Sequence, residues 1–219
     1  MSSETVSLTA SDGHQLQAYV ARPEGTPRAG LLVLQEIFGV NEHIRSVADG
    51  FAADGFLAIA PAVFDRAEPG VELGYDDFNK ARSFVEKIPR DDWVKDMAAA
   101  ADYVRSAGKV GAVGYCWGGA LADLAACHGL VDAAVSYYGR MTVEWLDPQP
   151  KCPVLYHYGE TDALIPLEII EKIARKRDGE VRVWGGAGHG FNCDARDSFH
   201  KKVAEQARDL TMAFFDKHL

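Results

Sequence analysis

Cys116 stands at the centre of Gly114-Tyr115-Cys116-Trp117-Gly118, with a glycine two residues to either side. The run before it, Lys109-Val110-Gly111-Ala112-Val113, reads as a buried strand, and the run after it as a helix. A strand that turns straight into a helix brings its flanking backbones too close for side chains beside the tip. It also holds the tip residue in a strained conformation with its side chain projecting. The following helix points unpaired N–H groups and a partial positive charge at that side chain, which stabilises a thiolate or an oxyanion. The spacing is therefore that of an elbow carrying a nucleophile, here sulfur.

A thiol must lose its proton to attack a carbonyl carbon. An imidazole can take that proton, and a carboxylate on the second ring nitrogen fixes the tautomer and stabilises the charge. His189 lies among Gly185, Gly186, Gly188 and Gly190, a loop that lets the ring reach back to the elbow. Two carboxylates compete for the third place, Glu160 and Asp162. Asp162 is favoured, because Gly159-x-x-Asp162-x-x-x-Pro166 puts it at the top of a loop before a helix. Glu36 follows the apolar run Leu31 to Leu34, and a carboxylate where a buried strand ends should have its pKa raised by desolvation. His14, His43, His200 and His218 are expected on the surface, His128 at a helix end and His157 within a strand. No histidine pair has ligand spacing, so neither a metal nor a cofactor is expected.

The elements that must position these groups follow from periodicity. Thr5 to Thr9 and Gln15 to Val20 alternate apolar and polar residues around Asp12-Gly13, as a hairpin does. Strands are expected at 31–34, 56–60, 110–113, 133–138, 154–158 and 181–184. Helices are expected at 44–52, 75–88, from 91 to 104, after the elbow to His128, at 166–175 and at the C-terminal end. In that last helix Phe199, Val203, Gln206 or Ala207, Leu210 and Phe214 would be buried. Asp65 to Asp77 is a polar excursion bearing Arg66. Strands alternate with helices from residue 31 onward with no break in composition. That predicts one α/β domain over 1–219, a doubly wound, mostly parallel sheet with helices on both faces. In such a sheet, ligands bind beyond the carboxyl ends of the strands, where Glu36, Cys116, Asp162 and His189 all fall.

Composition narrows the partners. Of 219 residues 47% are hydrophobic, enough for a sizeable core. The balance of 23 basic against 32 acidic residues, a net charge of −9, disfavours nucleic acid and anionic membrane surfaces. The longest apolar stretch, Phe56 to Phe64, is too short to span a bilayer and is interrupted by Pro61. Met1-Ser2-Ser3-Glu4-Thr5 lacks the features of a signal peptide, and Cys116, Cys127, Cys152 and Cys193 have no paired spacing. A cytoplasmic monomer with reduced thiols is expected.

Taken together, these residues resemble the dienelactone hydrolase family of α/β-hydrolases. The resemblance covers most of the chain. It is carried by Gln35-Glu36-Ile37-Phe38-Gly39-Val40-Asn41, Phe64-Asp65-Arg66, Gly114-Tyr115-Cys116-Trp117-Gly118-Gly119, Tyr137-Tyr138-Gly139, Asp162 and Gly188-His189. The family hydrolyses dienelactone, a carboxymethylenebutenolide, to maleylacetate in the bacterial degradation of chlorinated aromatics. The resemblance implies Cys116 as nucleophile, His189 as base, Asp162 as orienter, and an oxyanion hole from the N–H groups of Ile37 and Trp117. It implies that Glu36 interacts with the resting thiol and helps deprotonate it once substrate binds. Phe38, Arg66 and Tyr138 are expected to contact an anionic lactone or ester. The family's second carboxylate-binding arginine falls at Cys193, and the nearby Arg196 is not aligned with it. A broader carboxylesterase or thioesterase, a small-molecule receptor on the same scaffold, and a thiol redox protein using Cys116 and Cys193 are the alternatives.

Overall fold

The computed structural model describes all residues, 1–219. They group into two compact units, Met1–Ala112 and Val113–Leu219. In the first, β1 (Ser2–Thr9) and β2 (Gln15–Arg22) form the expected antiparallel hairpin, in register from Ser2 opposite Arg22 to Thr9 opposite Gln15. Gly13 turns the chain with φ at +86°, a conformation open to glycine at little cost. β2 pairs antiparallel with β4 (Phe56–Pro61), and β4 pairs parallel with β3 (Ala29–Leu34). Every residue of β3 and β4 is buried, which is why both read as unbroken apolar runs. Three helices complete this unit: α1 (Glu42–Ala53), α2 (Phe78–Lys87) and α3 (Arg90–Val104). The Asn41 side chain caps α1 by accepting from the Ile44 N–H at 3.1 Å. α2 starts three residues later than its periodicity suggests, because Gly74 to Asp77 closes a turn through the Asp77 N–H and the Gly74 C=O.

The second unit carries β5 (Val110–Tyr115) from its midpoint, then α4 (Trp117–His128), β6 (Ala133–Tyr137), β7 (Val154–Gly159), α5 (Leu167–Lys176), β8 (Glu180–Trp184) and α6 (Lys201–His218). β6 pairs parallel with β7, and β7 with β8. The β7–β8 crossover runs through α5, whereas the β6–β7 connection carries only a 3-10 turn at Arg140–Glu144. α6 buries Val203, Ala207 and Phe214, but Leu210 is half-buried. Phe199 precedes the helix and is 39% exposed, contrary to expectation. The histidines also depart from expectation: His43 is buried, and His200 caps α6 by accepting from the Val203 N–H.

α4 is the element that presents Cys116, and a buried ion pair anchors it. Asp123 of α4 meets Arg177 side-on, with Nε to Oδ1 at 2.9 Å and Nη2 to Oδ2 at 2.7 Å. The remaining guanidinium hydrogens go to the carbonyls of Trp145, Leu146 and Pro148. Tyr156 donates its hydroxyl to Asp123 Oδ1. Both charged side chains are out of solvent. Such a pair adds little net stability, yet removing one partner strands a buried charge. Arg177→Met should therefore lower the unfolding free energy by about 3–5 kcal/mol in urea titrations. Adding Asp123→Leu to that variant should recover part of the loss.

Candidate active site

The elbow forms as its glycines require. Cys116 has φ +54° and ψ −118°, outside the conformations a side chain favours. A Cβ on Gly114 would stand 1.8 Å from the Gly118 C=O, and one on Gly119 would stand 2.6 Å from the Tyr137 C=O. The Cys116 N–H donates to the Tyr137 C=O at 3.0 Å, which pins the strained tip to the end of β6. Its thiol is half-buried.

The three side chains read from the sequence meet in one series. His189 Nε2 lies 3.1 Å from Cys116 Sγ, and His189 Nδ1 lies 2.7 Å from Asp162 Oδ2. Asp162 Oδ1 is taken by the N–H groups of Leu164 and Ile165 at 2.8 and 3.2 Å, so one carboxylate oxygen is held for structure and the other faces the ring. A carboxylate has no hydrogen to give, so Nδ1 carries one and donates, leaving Nε2 to exchange a proton with sulfur. Burial alone would push the imidazole pKa down. The charge at Cys116 and the bond to Asp162 outweigh burial and lift it to about 10. Glu160, the rival carboxylate, accepts instead from the Gly186 N–H at 3.0 Å.

The Tyr138 ring is buried 5.1 Å from the His189 ring and 5.3 Å from Phe191, forming a wall of this site. Tyr138 also has positive φ, +40°. Its N–H bonds the His157 C=O at 2.7 Å. His157 itself carries more than a strand position suggests. Its Nδ1 accepts from Trp184 Nε1–H at 3.1 Å, so Nε2–H donates to Thr211 Oγ1 at 3.1 Å, and Thr211 bonds the Tyr137 hydroxyl at 2.7 Å. Burial pushes the His157 pKa down to about 3, and Arg182 adds to this. A lone histidine in an apolar strand was the available signal.

The remaining candidates lie in the first unit. Glu36 is fully buried just after β3, and the Gln35 amide donates to its backbone C=O at 3.2 Å. Ile37 and Phe38 are buried, with Phe38 edge-on to Tyr75 at 4.8 Å. The excursion after β4 is strapped across this turn. The Leu73 N–H donates to the Phe38 C=O, and Arg45 donates to the Val40 C=O and to Glu72. Gly39 has φ +86°, and a Cβ there would stand 1.9 Å from the Val71 C=O, so the strap requires glycine.

Arg66, expected from the family resemblance to contact the substrate, is engaged within the chain itself. Its guanidinium grips the fully buried Asp96 with Nε and Nη2 at 2.9 and 2.8 Å, and bonds Asp12 through Nη2 and Nη1 at 3.2 and 3.0 Å. Its side chain is 11% exposed. The fork that would hold a substrate carboxylate side-on is already occupied by carboxylates of the chain itself.

A residue at a strand-to-helix elbow in series with an imidazole and a carboxylate, on an α/β scaffold of mostly parallel strands, is the arrangement of the α/β-hydrolases. The comparisons with known proteins agree in sequence and in fold. The dienelactone hydrolase family matches residues 16–219. A carboxymethylenebutenolidase of Pseudomonas putida is 34% identical, over 98% of this chain and 96% of that protein. A Klebsiella pneumoniae structure, provisionally named a dienelactone hydrolase, superposes with a TM-score of 0.87 at 30% identity, covering 100% of both chains. An esterase of Pyrococcus furiosus shares the fold alone, with a TM-score of 0.71 at 13% identity over 99% and 91% of the two chains. The chain belongs to the dienelactone hydrolase family and is a hydrolase. No helix is long and apolar enough to cross a membrane.

Two outcomes test this geometry. Arg66→Ala should destabilise the protein by about 2–3 kcal/mol, because Asp96 loses its buried cation while Arg66 itself retains some solvent. It should slow hydrolysis of anionic and neutral esters equally, as measured by kcat/KM on a matched pair. For His189, a pKa raised in the fold stabilises the protonated form. That stability is complete below the unfolded value of about 6.5 and is lost as pH rises through about 10. Cys116→Ala removes the largest upward influence, so the His189 ring should titrate well below wild type in an NMR pH series.

Proposed function

We propose that this hydrolase cleaves lactones and esters through an acyl-cysteine intermediate, with enol-lactones of the carboxymethylenebutenolide class as substrates. The observation that carries the reading is the Cys116–His189–Asp162 series, at a strained elbow that heads α4. The thiolate attacks the lactone carbonyl carbon. The developing oxyanion lies at the α4 N-terminus, where the Trp117 N–H and the helix dipole stabilise it. Collapse breaks the acyl C–O bond and leaves a thioester on Cys116, and the imidazolium returns a proton to the leaving oxygen. Water then attacks the thioester carbonyl, His189 takes its proton, and C–S cleavage releases the acid and restores the thiolate. An enolate is a weakly basic leaving group, so a thiolate, itself weakly basic, can displace it. That is the chemical reason sulfur suits this substrate class. The family resemblance adds the Ile37 N–H as a second oxyanion donor and Glu36 as the carboxylate that governs the resting thiol. The same resemblance implies maleylacetate as the product, and relatives 34% identical to this chain are named carboxymethylenebutenolidases.

A second reading, a broader carboxylesterase, draws on a separate observation. Arg66 is engaged by Asp96 and Asp12, and Cys193, where the family's second arginine would stand, is fully buried. Neither position offers a substrate carboxylate a free cation. Preference for anionic over neutral esters should accordingly be small.

Cys116→Ala should cut kcat by at least about 10³-fold, with the fold retained by circular dichroism, since the helix end and binding alone remain. Cys116→Ser should be nearly as slow, because His189 faces a hydroxyl whose pKa lies far above that of a thiol. Acid-quenched wild type should carry the acyl mass on Cys116 in peptide mass spectra. Turnover by Cys116→Ala within tenfold of wild type would remove sulfur from the mechanism.

A further inference from the structure

His189 sits in a loop with little conformation of its own. Gly185, Gly186, Gly188 and Gly190 surround it, and Gly186 and Gly190 have φ at +71° and +77°. Glycines confer freedom, and freedom in this loop would let the ring drift from Asp162. Something outside the loop has to fix it. The Thr161 backbone N–H donates to the Ala187 C=O at 2.9 Å, and Thr161 Oγ1–H donates to the same oxygen, also at 2.9 Å. Thr161 immediately precedes Asp162, and Ala187 lies two residues before His189. One residue therefore ties the loop bearing the acid to the loop bearing the base.

The surroundings support the clamp. Gly159 leaves room for the accepting carbonyl, since a Cβ there would stand 2.3 Å from the Ala187 C=O. Glu160 flanks it, donating its N–H to the Trp184 C=O at 2.9 Å and accepting the Gly186 N–H at 3.0 Å. Ala187 is fully buried, whereas Thr161 is exposed, so replacing the threonine side chain leaves core packing alone.

We propose that Thr161 is a positioning residue of this hydrolase, whose hydroxyl clamps the Ala187 carbonyl and so sets His189 against Asp162. The proposal rests on the Cys116–His189–Asp162 reading above. Thr161→Val keeps the branched shape and the backbone bond but loses the hydroxyl, while Thr161→Ser keeps the hydroxyl. A single hydrogen bond of ordinary strength predicts that Thr161→Val loses about tenfold in kcat with KM unchanged. The His189 ring should titrate lower in Thr161→Val by NMR, because its contact with Asp162 loosens, and Thr161→Ser should restore both readouts. Wild-type kcat and wild-type titration in Thr161→Val would overturn the proposal, as would equal losses in both variants. The titration is read in the resting protein without substrate. Failure of the acyl-cysteine reading would instead appear as turnover in Cys116→Ala, so the two failures are separable.

Discussion

The conformation of Cys116 is the constraint on which the rest of the site depends. A side chain at φ +54° costs about 1–3 kcal/mol and persists only where its surroundings fix it. Here the fixing comes from backbone. The tip N–H is tied to the Tyr137 carbonyl, Gly114 packs against the Gly118 carbonyl, and Gly119 packs against the end of β6. The other non-glycine residue with positive φ is Tyr138, the first residue beyond β6, and its ring walls the imidazole. The two strained residues thus sit at neighbouring strand ends, joined through Tyr137, at the point where sulfur and imidazole meet.

Two imidazoles in this unit, His157 fully buried and His189 nearly so, show how surroundings decide protonation. Burial disfavours the cation in both. His157 faces Trp184 and Thr211, both neutral, and its only charged influence is a repulsive arginine, so it stays neutral and serves as a structural link. His189 faces sulfur on one nitrogen and a carboxylate on the other, and these outweigh burial. The same residue type, on or just beyond adjacent strands, is a neutral bridge in one place and is favoured as a cation in the other. The difference lies in what each ring nitrogen touches.

Legibility in the sequence followed the range of the interactions. The elbow was readable because its steric cause is local: two glycines and a cysteine within five residues. Asp162 was readable because its loop opens directly into α5. The parallel strands were readable because burial on both faces leaves unbroken apolar runs. Arg66 was not readable, because its partners Asp12 and Asp96 lie 54 and 30 residues away. Thr161 was opaque for the same reason: its hydroxyl has meaning only through a carbonyl 26 residues on. Phe199 was misplaced because helical spacing continued past the point where His200 caps the helix.

The fate of the arginines bears on what this hydrolase can recognise. Arg66 and Arg177 both present side-on forks, and both forks are filled by buried aspartates of the chain, Asp96 and Asp123. A guanidinium so engaged offers an incoming carboxylate little, since binding would have to displace a carboxylate that then stays buried without a partner. These charges are therefore committed to holding α3 and α4 in place. Buried rings and backbone donors stand beside the sulfur and imidazole instead, such as Tyr138 beside His189 and the N–H groups at the head of α4. Groups of that kind discriminate by the fit of an acyl group and by the position of its carbonyl oxygen, and much less by charge. On this physical ground, chemistry at the carbonyl carbon is more deeply built into the fold than preference for any one acid side chain on the substrate.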